Sequence, residues 1–163
     1  AAVLAAIDYQ GPVYIRLGRA ETKDIHDDSY HFEWGKAEVL RQGADVSIFA
    51  TGIMTAKALD AADTLAKRGI QAEVINVHTI KPLDEETVIA SAKKTGKVVT
   101  AEEHSIIGGL GSAVAEVLAR QCPTKQAFVG VQDSFGESGS PDDLLEKYGL
   151  TAEAIVKAAV GLQ

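Results

Sequence analysis

The sequence predicts a three-layer α/β/α domain over residues 36–163, with about five strands in a mainly parallel sheet that carries one antiparallel edge strand. Three observations predict it. Short β-branched runs alternate with runs of helical period, the pattern of right-handed crossovers between parallel strands. The helical runs begin at capping residues and stop at glycines. One stretch shows the whole unit: Val98-Val99-Thr100, then Glu102-Glu103-His104, then Gly108-Gly109-Leu110-Gly111, then a helix with Leu110, Val114, Val117 and Leu118 on one face. Open parallel sheets meet ligands and partners at the carboxyl ends of their strands. The search for function therefore starts at this turn.

Residues Ala1 to Tyr9 are alanine-rich and favour helix, ended by Gly11 and Pro12. Val13 to Leu17 alternates toward strand, closed by Gly18-Arg19. One helix and one strand bury too little to stand alone, so residues 1–19 read as the tail of another domain. The alternative is that they extend this domain's own sheet. Residues 20–35 are polar, with little periodicity, and read as a linker.

From Lys36 the pattern is regular. Ala37 to Arg41 is a weak strand, followed by a turn at Gln42-Gly43 and a strong strand over Asp45 to Ala50. The short turn makes the first strand an antiparallel edge. A helix follows with Met54, Ala58, Ala61, Leu65 and Ala66 on one side, stopped by Gly69. Gln71 to Val77 is the next strand. Asp84 caps a helix that ends in Lys93-Lys94 and Gly96, cations suiting the negative end. After the glycine-turn unit, Ala127 to Val131 is a further strand. Ser140-Pro141-Asp142-Asp143 opens a short helix ended by Gly149, and Thr151 caps a last helix to about Val160.

The chain has 163 residues, 46% of them hydrophobic, enough for one domain with a real core. The single cysteine, Cys122, excludes an intrachain disulfide framework and suits a reducing compartment, with a cytoplasmic location as the expectation. A formal charge of −7 argues against general affinity for nucleic acid or anionic membrane. No run approaches the ~20 apolar residues of a membrane span. The chain begins at Ala1 and its only methionine is Met54, which reads as a piece of a longer protein.

Four groups of residues invite a chemical reading. The backbone amides of Gly108-Gly109-Leu110-Gly111, opening a helix, form one anion-site candidate, against a tight turn that lets the helix pack closely. The turn lacks the third glycine of the dinucleotide fingerprint and the lysine of a P-loop. Glu102, Glu103 and His104 are an acid–base candidate, against a polar strand end that bonds a neighbouring domain; adjacent residues in an extended run point to opposite sides. Arg16 and Arg19 suit phosphate or carboxylate, against an interdomain ion pair. His26, Asp27, Asp28 and His31 have no spacing that enforces a metal geometry and read as a solvated crossing. No metal ligand set is assigned, and Cys122 reads as an inert small residue.

Several segments together carry a resemblance: GPVYIRLGR at 11–19, GADVSIFATG at 43–52, INVHTIKPLD at 75–84, EEHSIIGGLGSAVAE at 102–116 and DSFGESGSPDDLLEKYGLT at 133–151. In that order, across nearly the whole chain, they resemble the C-terminal end of a transketolase encoded as separate halves. Deoxyxylulose phosphate synthase and the β part of 2-oxo acid dehydrogenase E1 share the layout. The resemblance implies a parent that moves a two-carbon ketol unit between sugar phosphates, using thiamine diphosphate and magnesium held between other domains of a homodimer. It implies that residues 1–19 end the pyrimidine-binding domain and that Arg19 contacts substrate phosphate. It further implies that this portion carries no catalytic residue and binds no cofactor itself. His104, Gly108 and Gly109 remain as an interdomain or anion contact. A pure assembly or anion-regulated module is the reading from a different class.

Overall fold

The computed structural model describes residues 1–18 and 21–163. Its elements run α1 (Ala2–Ile7), β1 (Glu38–Arg41), β2 (Val46–Ala50), α2 (Met54–Ala66), β3 (Ala72–Asn76), α3 (Glu85–Thr95), β4 (Lys97–Ser105), α4 (Leu110–Gln121), β5 (Lys125–Val131), α5 (Pro141–Lys147) and α6 (Ala152–Gly161). The five strands form one sheet in the order β1-β3-β2-β4-β5, with only β1 antiparallel. The anticipated three-layer, mainly parallel domain is what forms.

Strand alternation divides the core in two. On one face Val46, Ile48, Ala50 and Val74 pack under α2, α5 and α6, against Met54, Leu65, Leu145 and Ile155. On the other, Phe49, Ile75 and Val98 pack under α3 and α4, against Val88, Leu110, Val114 and Leu118. Each such side chain, fully buried, stabilises the fold by about 1.5–3 kcal/mol. The second face also holds a polar knot. Glu73 of β3 is buried there, accepting from Ser91 Oγ at 2.5 Å and from Lys94; Ser47 Oγ meets Ser91 and Thr95 at 2.6 and 2.7 Å. Buried polar groups survive because partners satisfy them.

The caps act as the sequence indicates. Asp84 accepts from the Thr87 amide, Ser140 from the Asp143 amide and Thr151 from the Ala154 amide. Gly96 ends α3 in the left-handed region at φ 68°.

Three expectations are corrected. β1 is an antiparallel edge, but its neighbour is β3, with Glu38 opposite Asn76 and Arg41 opposite Val74, and not β2 through a hairpin. The chain after β1 instead passes beneath the start of β3. There the Ala44 and Asp45 amides donate to the Gln71 carbonyl, and the Gln71 amide returns a bond to Asp45 Oδ2 at 2.6 Å. Gly43 is what permits the crossing, since a Cβ on it would lie 2.2 Å from the Ala72 carbonyl carbon. Second, residues 13–17 form no strand; they run past without a ladder, because no neighbouring strand offers one. Third, β4 continues beyond Thr100 to Ser105, carrying the acidic run within the strand.

Candidate functional site

The carboxyl end of β4 leads into the glycine turn, and the turn is already filled. Glu102 is 2% exposed and turns its carboxylate onto the start of α4, accepting from the Leu110 and Gly111 amides, each at 2.7 Å. A negative group at a helix N-terminus satisfies orphan donors and the positive end of the helix dipole together. The glycines make this possible. A Cβ on Gly109 would fall 2.0 Å from Glu102 Oε2, and one on Gly111 2.5 Å from the Phe128 ring. Gly108, at φ 80°, donates its amide to Ser112 Oγ at 2.8 Å. The turn is thus a cradle for an anion, and the anion is the protein's own.

His104 stands beside Glu102 on the same side of the strand end, half-exposed. Its Nδ1 lies 2.8 Å from the Ser105 carbonyl oxygen and 4.0 Å from Glu102 Oε2. Glu103 contributes its backbone: Arg16 Nη2 donates to its carbonyl at 3.2 Å, which ties the N-terminal arm to this end of the sheet. Ile107 and Phe135 are exposed around the same end, Phe135 at 97%. Tyr148 steadies the Phe135 loop by donating to the Phe135 carbonyl at 3.1 Å. Cys122 closes α4 half-buried beside Thr124. Arg19, the sequence candidate for phosphate binding, lies outside the described residues.

A second concave site was hidden in the linker. A cleft of about 490 Å³ is lined by His26, Tyr30, His31, Lys36, Glu38 and His78, among others. His26 Nε2 sits 2.5 Å from Glu38 Oε2, and the His26 ring stacks on Tyr30 at 3.9 Å. Burial pushes the His78 imidazole below its ordinary value, against the pull of Glu38, and His26 adds to the lowering. Burial and Glu38 both push the Tyr30 phenol up. Of the linker quartet read as a solvated crossing, His26, Asp27 and His31 line the cleft and Asp28 does not; Asp27 accepts from the Ser29 amide and hydroxyl at 2.9 and 2.5 Å. The carboxylate partner of His26 lies 12 residues away in β1, so no local spacing announces it. No group of three or more His, Cys, Asp or Glu placed to hold a metal occurs among the described residues.

An open five-stranded α/β/α sheet with a carboxylate-filled glycine turn at its carboxyl end defines the class. Comparison supplies the family. Residues 35–155 match the family model described as the transketolase C-terminal domain, and the chain belongs to that family. It is 59% identical over 151 residues to the 6-deoxy-6-sulfo-D-fructose transketolase subunit SqwH of Clostridium sp. (strain MSTE9), covering 93% of this chain and 47% of the relative. It is 46% identical over 153 residues to a putative transketolase C-terminal section of Methanocaldococcus jannaschii, covering 92% and 48%. A solved structure titled split gene transketolase, inactive beta4 tetramer, superposes with a TM-score of 0.96 at 53% identity, over 99% of this chain and 53% of that one. The chain spans about half the length of these relatives.

Proposed function

We propose that this chain is the C-terminal portion of a cytoplasmic transketolase, which passes a two-carbon ketol unit between a ketose phosphate and an aldose phosphate. In this reading it supports assembly and two-fold pairing and is inactive alone. The observation that carries it is the arm at residues 1–18. Val3, Leu4, Ile7, Tyr14 and Leu17 are exposed there, Tyr14 at 89%, and α1 has no buried residue. Apolar surface of this kind is stabilised only by being covered. The N-terminal and pyrimidine-binding portions of a transketolase are the proposed cover. The solved relative named as an inactive β4 tetramer and the relatives named as subunits or sections support the same reading.

Thiamine diphosphate and magnesium belong, in this proposal, to those other portions. The glycine turn does not fit a diphosphate, because Glu102 and Ser112 take its amides and a phosphate would meet the Glu102 carboxylate at close range. The same occupancy weighs against an anion-regulated module. A deoxyxylulose phosphate synthase or E1 β parent is the reading nearest by layout, separated by whether the assembled enzyme takes its two-carbon unit as a ketol group from a ketose phosphate.

Two measurements test the proposal. Calorimetry of the chain with cofactor and magnesium should give no saturable micromolar heat. Adding the complementary transketolase portions should produce ketol transfer between sugar phosphates. Cofactor binding by the chain alone, or no transfer from a complex shown to form, overturns it.

A further inference from the structure

We propose that the open edge of the sheet, β5 with the groove beside α6, receives residues 13–17 of a second copy of this chain as an added antiparallel strand. Each copy lends its arm to the other. β5 pairs with β4 on one side, and the described residues give it no strand on the other. It contains no proline, and its pairing with β4 runs unbroken from Lys125 to Val129. Such an edge presents a row of unpaired N–H and C=O groups, a template for one more strand. Beside it lies a groove of about 460 Å³, walled by Ala127, Val129, Ala154, Ala158 and Leu162, with Lys157 the one charged side chain lining it.

Residues 13–17 fit this edge. They alternate as a strand does, yet form no ladder in their own chain. Among the described residues their one hydrogen bond to the domain is the exposed Arg16 bond to the Glu103 carbonyl, at 3.2 Å, which costs little to give up. In an added strand Val13, Ile15 and Leu17 face one side and Tyr14 and Arg16 the other. The two sides of the edge differ in the same way. Ala127 and Val129 lie on the apolar α6 face, whereas Gln126 and Phe128 lie against Gly111 on the α4 face. The register that sets Tyr14 opposite Phe128 puts Val13 opposite Val129 and Ile15 opposite Ala127, over the groove. It puts Arg16 opposite Gln126, whose Oε1 is buried with no donor among the described residues. Tyr14 is 89% exposed and Phe128 37%, and a directly opposed aromatic pair stabilises an antiparallel ladder.

The exposed area is enough for a stable pair. The chain exposes 9544 Å², against about 7,800 Å² for a compact chain of 17.2 kDa. The excess of about 1,750 Å² is more than the ~800 Å² that each partner contributes to a specific interface. Reciprocal exchange of arms closes as a two-fold dimer and leaves no further edge of this kind open. The inference concerns the chain by itself and stands independently of the transferase reading.

Cross-linking and affinity test it on the full chain. Cys122→Ser removes the one native thiol. In that background, copies carrying Tyr14→Cys mixed with copies carrying Phe128→Cys should form a disulfide between copies. Tyr14→Cys mixed with Val160→Cys, an exposed position elsewhere on α6, should not. Light scattering should show a wild-type dimer at ~100 μM. Ile15→Lys and Ala158→Lys each place an ammonium in the apolar groove and should each raise the dimer Kd at least about tenfold. Both changes reduce the net negative charge, so repulsion between copies cannot produce that loss. Ile15 belongs to neither core cluster, so Ile15→Lys keeps the domain folded even if Ala158→Lys does not. A monomeric wild-type chain, a dimer whose Kd is unchanged by Ile15→Lys, or cross-linking to Val160→Cys as strong as to Phe128→Cys overturns the proposal.

Discussion

Glu102 decides what the glycine turn is. A buried carboxylate with two amide donors at 2.7 Å is a helix cap supplied from eight and nine residues upstream. Glu102→Gln exchanges one acceptor for an NH₂ that faces a backbone N–H. Hydrogen bonds to charged groups are worth about 1.5–3 kcal/mol, so urea unfolding should show a loss of that order. Gly109→Ala drives a methyl into the same carboxylate and should cost about 1–3 kcal/mol as overpacking, with the loss much reduced when Glu102 is also changed to Ala. At Arg19 the expectation concerns the assembled enzyme. If it binds substrate phosphate, Arg19→Ala should raise KM for phosphorylated sugars by about 10- to 100-fold, equivalent to about 1.5–3 kcal/mol, and leave unphosphorylated sugars nearly unaffected. Equal effects on both substrates would mark a structural ion pair instead.

At the scale of elements, Asp84 joins α3 to the entry of β1. Its carboxylate accepts from the Thr87 amide at 3.1 Å, the Thr87 hydroxyl at 2.8 Å and the Ala37 amide at 3.0 Å. Burial pushes this carboxyl up, but those three bonds and Lys36 outweigh it and hold it below its ordinary value. A depressed carboxyl contributes stability that is present above the unfolded-state pKa, about 3.9, and lost as pH falls through the folded value. Asp84→Ala should lower stability by about 1–2 kcal/mol at neutral pH, and by progressively less below about pH 4. Thermal unfolding across that range checks it; a pH-independent difference would place the effect in packing alone. The cap was legible because Asp84 sits directly before its helix. The bond to Ala37 was not, since it spans 47 residues.

The whole molecule presents two unequal parts: a domain with its own two-faced core, and an arm whose apolar side chains point outward. Covering several such side chains, each worth about 1.5–3 kcal/mol, gives a strong drive to associate. The charge of −7 opposes it only over a screening length of about 8 Å at physiological salt. Light scattering at ~100 μM should therefore show the full chain self-associated and a version lacking residues 1–19 less so, a concentration at which an association of ~8 kcal/mol is visible. Both versions monomeric and equally stable would mean the arm buries nothing in the chain by itself.

The sequence by itself determined the layers, the caps and the site of the glycine turn, because each rests on contacts within a turn or two of chain. Hydrophobic period, Asp84, Ser140, Thr151 and Gly96 all act on near neighbours. Only the tertiary structure decided the rest. It chose β3 over β2 as the neighbour of β1, because Gly43 crosses beneath the start of β3. It turned Glu102 inward to occupy the cradle and brought His26 and His78 to one carboxylate. These are choices among partners distant in sequence. Residue order names the candidates, but only packing the two faces of the sheet selects which of them meet.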